Sequence, residues 1–221
     1  MKTATALAIV LAILGLAPVV MGEDKPAKDG ALQIPLGKAA AIDGKLEDAE
    51  WSDALAVKVG DAGAVRLKHD KESLYLSWSK FPGQGYACLF VKSGDNVKVF
   101  HASQALGSAL YEKKGDVWNP KVKAYAWKKP DVLWKDEGWK ATTQAPAGQE
   151  FAVSFKTLGI EGNAAATIAL GYVYFEKGEG KSLTWPDAKD ACGDSKLLGG
   201  WNPEGLKFDF SKWAVVRPAA K

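Results

Sequence analysis

The sequence predicts an all-β protein: an antiparallel β-sandwich of the immunoglobulin or jelly-roll kind, with little helix. Apolar and polar residues alternate with a period of two along many short runs, which is typical of strands that bury one face. Turn-forming residues separate these runs at short intervals, as in sandwiches and barrels. The apolar positions of the runs are Leu32/Ile34/Leu36, Val65/Leu67, Leu74/Leu76/Trp78, Val97/Val99, Val122/Ala124/Ala126, Phe151/Val153/Phe155, Ile168/Leu170/Tyr172/Tyr174 and Leu206/Phe208/Phe210.

Residues 1–22 have the pattern of a secretory signal peptide. A positively charged start precedes an apolar run from Ala4 to Val20, and small residues end the segment at Gly22. The run is short for a membrane span and contains both Gly and Pro. We therefore expect export to the periplasm or the medium, with cleavage after Gly22 and no membrane contact afterwards.

Residues 23–30 form a charged linker with Pro and Gly, and residues 31–221 are expected to form one sandwich domain. A mature chain of roughly 200 residues suits a single domain with a full-sized core. The 29 basic and 26 acidic residues leave a net charge of +3, and both signs are interspersed. This composition does not predict a nucleic-acid surface.

The most informative stretch lies near the start of the domain. Asp43-Gly44 predicts a tight turn, since Asp accepts backbone hydrogen bonds and Gly permits positive φ. The acidic segment from Leu46 to Trp51 predicts one or two helical turns that end on an anchoring aromatic. A hairpin turn at Asp70 then joins two alternating strands. Further hairpin loops are expected at Ser93–Asn96 and Lys177–Lys181.

These residues resemble the opening signature of family-9 carbohydrate-binding modules and their DOMON-like relatives. The strand Gln149–Phe155, followed by Leu158-Gly159, is similar to the strand that comes next in that family. Trp185-Pro186, Trp201-Asn202-Pro203 and a closing strand at Leu206–Phe210 resemble its C-terminal end. The resemblance extends from Ile34 to about Val216. It implies an exported, non-catalytic domain that binds a carbohydrate or a related small polar ligand.

The resemblance places the ligand among loop aromatics. Trp201, Trp185 and Tyr86 are the first candidates, with Trp118 and Asn202 beside them. Flat aromatic rings stack on the apolar faces of sugars, and amides hydrogen-bond to hydroxyl groups. The paired acidic residues that family-9 modules carry after the first hairpin are absent here, and Tyr86 takes the place of their aromatic. Each of these aromatics is equally consistent with a packing role.

Two alternative functions stay open. Some DOMON-like domains hold a b-type haem, and here His69 and/or His101 would have to ligate it. Both methionines, Met1 and Met21, lie in the signal peptide, and there is no Cys-x-x-Cys-His motif. The third interpretation is a structural or partner-binding sandwich without a small ligand, whose interface is the segment Val99–Tyr111.

Catalytic and metal-binding motifs are absent from the sequence. There is no nucleophile elbow, no His-Glu-x-x-His and no phosphate loop, so we do not expect an enzyme. Two histidines and two cysteines give no zinc-ligand spacing, and no metal site is assigned. Calcium is the cation that loop carboxylates would suit, at two acidic clusters. These clusters are Asp43/Glu47/Asp48 and Asp187/Asp190/Asp194.

The two cysteines are Cys88, in an apolar run, and Cys192, in a polar loop. Export favours a disulfide between them, because oxidising compartments preserve such bonds. Sequence does not show whether their Cα atoms lie within bridging distance, and a buried thiol at Cys88 is equally consistent with the pattern.

Overall fold

Two packed β-sheets dominate the computed structural model, which confirms the prediction of an all-β sandwich. The signal peptide and all but the last residue of the linker lie outside the described residues. The model describes residues 30–59, 63–79, 85–121, 126–128, 135, 137–143, 148–186 and 195–220. No helix within these ranges is long and apolar enough to cross a membrane.

The larger sheet has nine strands among the described residues, in the order β1-β14-β12-β5-β6-β7-β8. Strand β13 pairs with the second half of β12, along the same edge on which β14 pairs with the first residues of β12. Strand β9 pairs with the start of β7. The strands are β1 (Leu32–Ile34), β5 (Gly85–Ser93), β6 (Asn96–Ala102), β7 (Leu106–Lys114), β8 (Val117–Pro120), β9 (Ala126–Lys128), β12 (Ala166–Glu176), β13 (Glu179–Trp185) and β14 (Ala214–Pro218).

The smaller sheet has five strands within the described part of the chain, in the order β10-β11-β4-β3-β2. Pairing is antiparallel throughout both sheets except between β1 and β14, which run parallel. The strands are β2 (Leu55–Val59), β3 (Gly63–His69), β4 (Ser73–Ser79), β10 (Trp139–Ala141) and β11 (Gly148–Ser154).

Short helical segments complete the described elements: α1 (Phe155–Leu158), α2 (Ser195–Leu198) and a 3₁₀ turn at Phe210–Lys212. Helix α1 begins at Ser154, whose side chain accepts a hydrogen bond from Thr157 N, and ends at Gly159 in the left-handed region. The segment from Leu46 to Trp51 forms only a hydrogen-bonded turn, in which Trp51 N donates to Glu47 O. Of the one or two helical turns predicted there, the structure therefore has a single turn that ends on Trp51.

The main core lies between the sheets, where alternate residues of each strand point inward. Leu89 of β5 and Leu170 of β12 face Leu76 of β4 and Phe151 of β11, and all four are fully buried. The same side of the larger sheet also carries Phe100, whose ring packs 5.1 Å from that of Trp139. Period-two alternation therefore predicted the buried face of these strands correctly.

A second apolar cluster covers the opposite face of the larger sheet. Residues 195–213, which we call the C-terminal cover, place Leu206 and Phe208 on this face. Leu206 exchanges two backbone hydrogen bonds with Trp118, and the chain then enters the 3₁₀ turn. The prediction of a closing strand at Leu206–Phe210 is wrong. Residues 206–210 alternate because one side of this irregular segment packs on the larger sheet. The closing strand of the chain is β14 instead.

The opening turn is fixed by a buried carboxylate from the smaller sheet. Glu150 of β11 is fully buried, and its Oε2 accepts hydrogen bonds from Asp43 N at 3.0 Å and Gly44 N at 2.7 Å. Its Oε1 accepts from Trp51 Nε1 at 3.3 Å. Burial raises the pKa of Glu150, and these three donors act in the opposite direction.

We predict that Glu150→Ala lowers the free energy of unfolding by about 3 kcal/mol, because three donors lose a buried acceptor. Urea unfolding followed by circular dichroism measures the change. The matched control is Glu161→Ala, an exposed site where a change within about 0.5 kcal/mol is expected. Equal effects in the two variants would contradict the structural role of Glu150.

Candidate functional site

A row of residues crosses the outer face of the larger sheet near one end of its strands. Register pairs Gly171 of β12 with Cys88 of β5, Cys88 with His101 of β6, and His101 with Gly107 of β7. Gly107 in turn pairs with Trp127 of β9. Because directly paired residues point to the same face, these five share one surface.

Two glycines in this row make room for larger neighbours. A Cβ at Gly107 would lie 2.7 Å from Trp127 Cε3, so the indole lies directly over the Gly107 backbone. A Cβ at Gly171 would lie 2.2 Å from Leu198 Cδ2, where the C-terminal cover reaches the sheet. The cover therefore occupies one part of the row and Trp127 the other.

Further aromatic rings surround His101. The His101 ring meets Trp127 edge-on, with centroids 5.5 Å apart and an interplanar angle of 84°. Tyr86 lies 5.9 Å from His101 on the other side. Phe175, near the end of β12, contacts Tyr86 edge-on at 6.1 Å. These rings form a continuous aromatic surface from β9 to β12.

The loop after α2 brings Trp201 to the same region. Gly200, at φ +86°, passes close over the row, because a Cβ there would lie 3.3 Å from Trp127 Cη2 and 3.4 Å from His101 Nε2. Trp201 N donates to Lys196 O at 3.1 Å, which fixes the backbone of the loop. We refer to Tyr86, Trp127 and Phe175 as the aromatic platform, and Trp201 follows Gly200 at its edge.

The aromatic platform is exposed although its floor is buried. Trp127, Phe175 and Trp201 are 46%, 54% and 72% exposed, whereas His101 is 1% exposed. Exposed apolar side chains on the surface of a monomer are normally scattered singly. Several large aromatics exposed in one patch are typical of an interaction site.

His101 is electrostatically neutral at ordinary pH. Burial lowers the pKa of this imidazole to about 4. Its Nδ1 lies 3.1 Å from the sulfur of Cys88, which also contacts Leu198 O at 3.6 Å. The floor of the aromatic platform is therefore polarisable and uncharged.

Of the predicted ligand residues, Tyr86 lies on the aromatic platform, Trp201 follows Gly200 at its edge, and two lie elsewhere. Trp185 of β13 pairs with Leu170 on the inner face of the larger sheet and is 9% exposed. Trp118 is 5% exposed and packs 5.4 Å from Phe210 under the C-terminal cover. The structure thus does not bring Trp185 together with Tyr86, because they point to opposite faces of one sheet.

Asn202, the remaining predicted ligand residue, follows Trp201 and is half-buried. Its side-chain oxygen Oδ1 is buried. The two platform aromatics absent from the predicted set, Trp127 and Phe175, had a weak sequence signal. Phe175 ends the longest alternating run, next to a turn, and Trp127 lies among polar residues. Neither pattern shows whether the side chain is exposed, because that depends on segments that are distant in the chain.

The histidines do not fit a haem held between them. His69 ends β3 in the smaller sheet, and its Nδ1 accepts a hydrogen bond from Lys71 N at 3.1 Å. His101 belongs to the larger sheet and faces away from the smaller one. Burial lowers the pKa of His69 as well. Two imidazoles on different sheets do not present nitrogens to opposite sides of one iron.

The acidic cluster at the opening turn is occupied by protein partners. Asp43 pairs with Lys45 at 3.1 Å, and Asp48 pairs with Arg66 at 2.7 Å. Among the described residues, no group of three or more His, Cys, Asp or Glu is arranged to hold a metal ion. The second cluster, Asp187/Asp190/Asp194, lies outside the described residues. So does Cys192, and its disulfide with Cys88 stays a prediction.

Comparison with known proteins gives distant fold likenesses. No family model and no curated protein matches the chain. A family-9 carbohydrate-binding module from Caldicellulosiruptor kristjanssonii, solved with glucose, aligns with a TM-score of 0.43 and 10% identity over 86% of this chain and 96% of that one. A candidate carbohydrate-binding protein from Bacteroides uniformis aligns with a TM-score of 0.38 and 10% identity over 71% and 78% of the two chains. At these scores neither likeness supports an argument about function.

We predict that His101 makes the folded protein less stable as the pH falls. The unfolded chain binds a proton at this histidine near pH 6.5 and the folded protein only at about 4, so the loss accumulates between these values. The resulting loss in the free energy of unfolding is about 2.5 kcal/mol at about pH 4.5 and vanishes near pH 7.

Urea unfolding of the wild type and of His101→Asn at both pH values checks this prediction. From about pH 7 to about pH 4.5, the free energy of unfolding of the variant is expected to fall by about 2.5 kcal/mol less than that of the wild type. An identical pH dependence in both proteins would show that His101 titrates normally in the folded state.

Proposed function

We propose that this chain is a non-catalytic carbohydrate-binding domain whose ligand stacks on the aromatic platform. The observation that carries the proposal is the exposure of Trp127 and Phe175, with Trp201 beside them in the chain's next loop, at one end of the outer face of the larger sheet, where the C-terminal cover stops. Pyranose rings have apolar C–H faces that pack on such side chains. The cover leaves this apolar surface open, which is the arrangement a stacking ligand needs.

The aromatic platform is held in place before any ligand binds. Trp127 rests on Gly107 and against the buried His101, and Tyr86 packs between His101 and Phe175. Rings fixed in this way lose little side-chain entropy on binding, which favours a weakly interacting ligand such as a sugar. Trp201, at 72% exposure on a loop, is the ring best able to close over a bound ligand.

The chemistry beneath the platform suits a neutral ligand. His101 carries no charge at ordinary pH because burial lowers its pKa to about 4. The Tyr86 hydroxyl both donates and accepts hydrogen bonds, as sugar hydroxyls do. A floor without fixed charge, with this amphoteric group beside it, matches a polyol better than it matches an ion.

We predict that Trp127→Ala and Trp201→Ala each weaken oligosaccharide binding at least about tenfold, because each removes a stacking face. A panel of soluble monosaccharides and oligosaccharides that includes glucose and cellobiose identifies the ligand. Isothermal titration calorimetry measures the affinities. The control is Val215→Ala, which shortens an exposed apolar side chain on β14 and is expected to change nothing.

Absence of binding to every oligosaccharide would reject the sugar proposal. If a protein partner were captured instead and lost in the same two tryptophan variants, the platform would be a protein interface. Near-UV circular dichroism of each variant confirms that the fold is retained.

We also predict that Gly107→Ala weakens oligosaccharide binding several-fold without removing any aromatic ring. The new Cβ would lie 2.7 Å from Trp127 Cε3 and must displace the indole. Gly180→Ala is the matched control, because its Cβ meets its nearest neighbour, Phe175 Cε1, at an ordinary 3.6 Å. Unchanged affinity in Gly107→Ala, with a shifted tryptophan fluorescence spectrum, would show that the position of Trp127 does not matter for binding.

A further inference from the structure

A cavity of about 590 Å³ lies at one side of the sandwich, between an edge of each sheet. Strand β2, the outermost strand of the smaller sheet, supplies one wall, and strands β1, β13 and β14 of the larger sheet supply the other. Tyr86, Trp127 and Phe175 of the aromatic platform do not line it. The described lining residues are Gly30, Leu32, Val57, Lys58, Trp185, Trp213, Ala214 and Val215.

The cavity lies where the edge of the larger sheet passes from one strand to another. Strand β14 pairs with β12 as far as Ala214, β13 takes over at Trp185, and only Ala169 lies between their partners on β12. Both Ala214 and Trp185 line the cavity. Trp185 belongs to the core between the sheets, whereas Trp213 belongs to the apolar cluster on the outer face. The cavity therefore reaches from the core to the outer side of this sheet edge.

The side chains that line the cavity are apolar, with one exception. Val57, Trp185 and Trp213 are each at most 9% exposed, and Val215 lies nearer the surface. Among the described lining residues, no side chain carries a hydroxyl, carboxylate or carboxamide group. A sugar placed here would lose hydrogen bonds to water without replacing them, whereas a hydrocarbon chain has none to lose. The lining therefore selects a ligand with an apolar body.

Lys58 is the exception, and it is the one charged residue in the described lining. Its neighbours Val57 and Val59 are buried, so the Lys58 side chain points away from the core and is exposed. Within the described part of the chain it forms no ion pair. Because β2 is an edge strand, the ammonium can lie at the rim with its methylene stem along the cavity wall. A positive rim around an apolar cavity complements an anionic amphiphile.

We propose that this cavity binds a fatty acid of medium chain length. The hydrocarbon chain would pack against Trp185 and Trp213, and the carboxylate would meet Lys58 at the rim. An amine of the same chain length would be repelled by Lys58, and a neutral alcohol would gain no ion pair. The volume of about 590 Å³ lies within the range of roughly 300–1,000 Å³ found for small-molecule sites. This proposal does not depend on the carbohydrate function of the aromatic platform.

Octanoate, decanoate and dodecanoate test the proposal on the unmodified protein. Isothermal titration calorimetry is expected to show a saturable site whose affinity rises about fourfold for each added methylene, because each methylene is buried. Decylamine, which has the same chain length as decanoate and the opposite charge, is expected to bind about fivefold more weakly. No saturable binding of dodecanoate up to about 100 μM, or equal binding of decanoate and decylamine, would overturn the proposal.

Reversal of the charge at the rim tests the role of Lys58. In Lys58→Glu the preference is expected to reverse, so that decylamine binds more tightly than decanoate. Lys114→Glu, at an exposed lysine on β7, is the matched control and keeps the preference for decanoate. Both lysines are exposed, and near-UV circular dichroism checks that each variant retains the fold. An unchanged preference in Lys58→Glu would overturn the proposal.

Fluorescence quenching locates the hydrocarbon chain. A fatty acid brominated near the end of its chain quenches the tryptophans that it contacts, and the quenching is expected to be smaller in Trp185→Phe and in Trp213→Phe. Trp127→Ala is expected to change neither the quenching nor the affinity. Loss of binding in Trp127→Ala would place the ligand on the aromatic platform and overturn the proposal. A dimer of the unliganded protein that dissociates in Val215→Asp would assign the cavity to a second copy of the chain and would overturn it as well.

Discussion

The Glu150 carboxylate is the interaction on which the arrangement of the outer segments depends. It lies on β11 of the smaller sheet, fully buried, and accepts hydrogen bonds from three donors of a segment about a hundred residues earlier in the chain. A buried carboxylate is stable only when its oxygens are hydrogen-bonded, and here every described donor comes from the opening segment. Formation of β11 and docking of the opening segment are therefore coupled.

That docking covers the outer face of the smaller sheet. Trp51 packs with Tyr75 and Ala152 there, and the ammonium of Lys68 lies 5.2 Å from the Trp51 ring. Lys68 is fully buried and pairs with Asp53 at 3.0 Å. Burial alone would raise the pKa of Asp53, but hydrogen bonds from Lys38 N and Lys68 Nζ lower it. The opening segment is thus a packed layer of the protein rather than a leader to it.

Each sheet therefore has a segment packed over part of its outer face, and the candidate site exists where the second cover stops. The C-terminal cover reaches the row of residues at Leu198 over Gly171 and turns away at Gly200 beside His101. Beyond that point Trp127 and Phe175 remain on the surface with Trp201 at their edge.

The sequence by itself determined most of the strands and hairpins and the inward face of those strands, because these follow from alternation and from turn residues only a few positions apart. It also indicated the Asp43-Gly44 turn and the Trp51 anchor. Only the tertiary structure decided which aromatics share a surface. Trp185 and Trp118 lie in apolar clusters, whereas Trp127 and Phe175 lie with Tyr86 around His101. Alternation predicts on which of the two faces of a sheet a side chain lies. Whether that face is covered depends on segments that are distant in the chain, and a local sequence pattern does not predict where those segments pack.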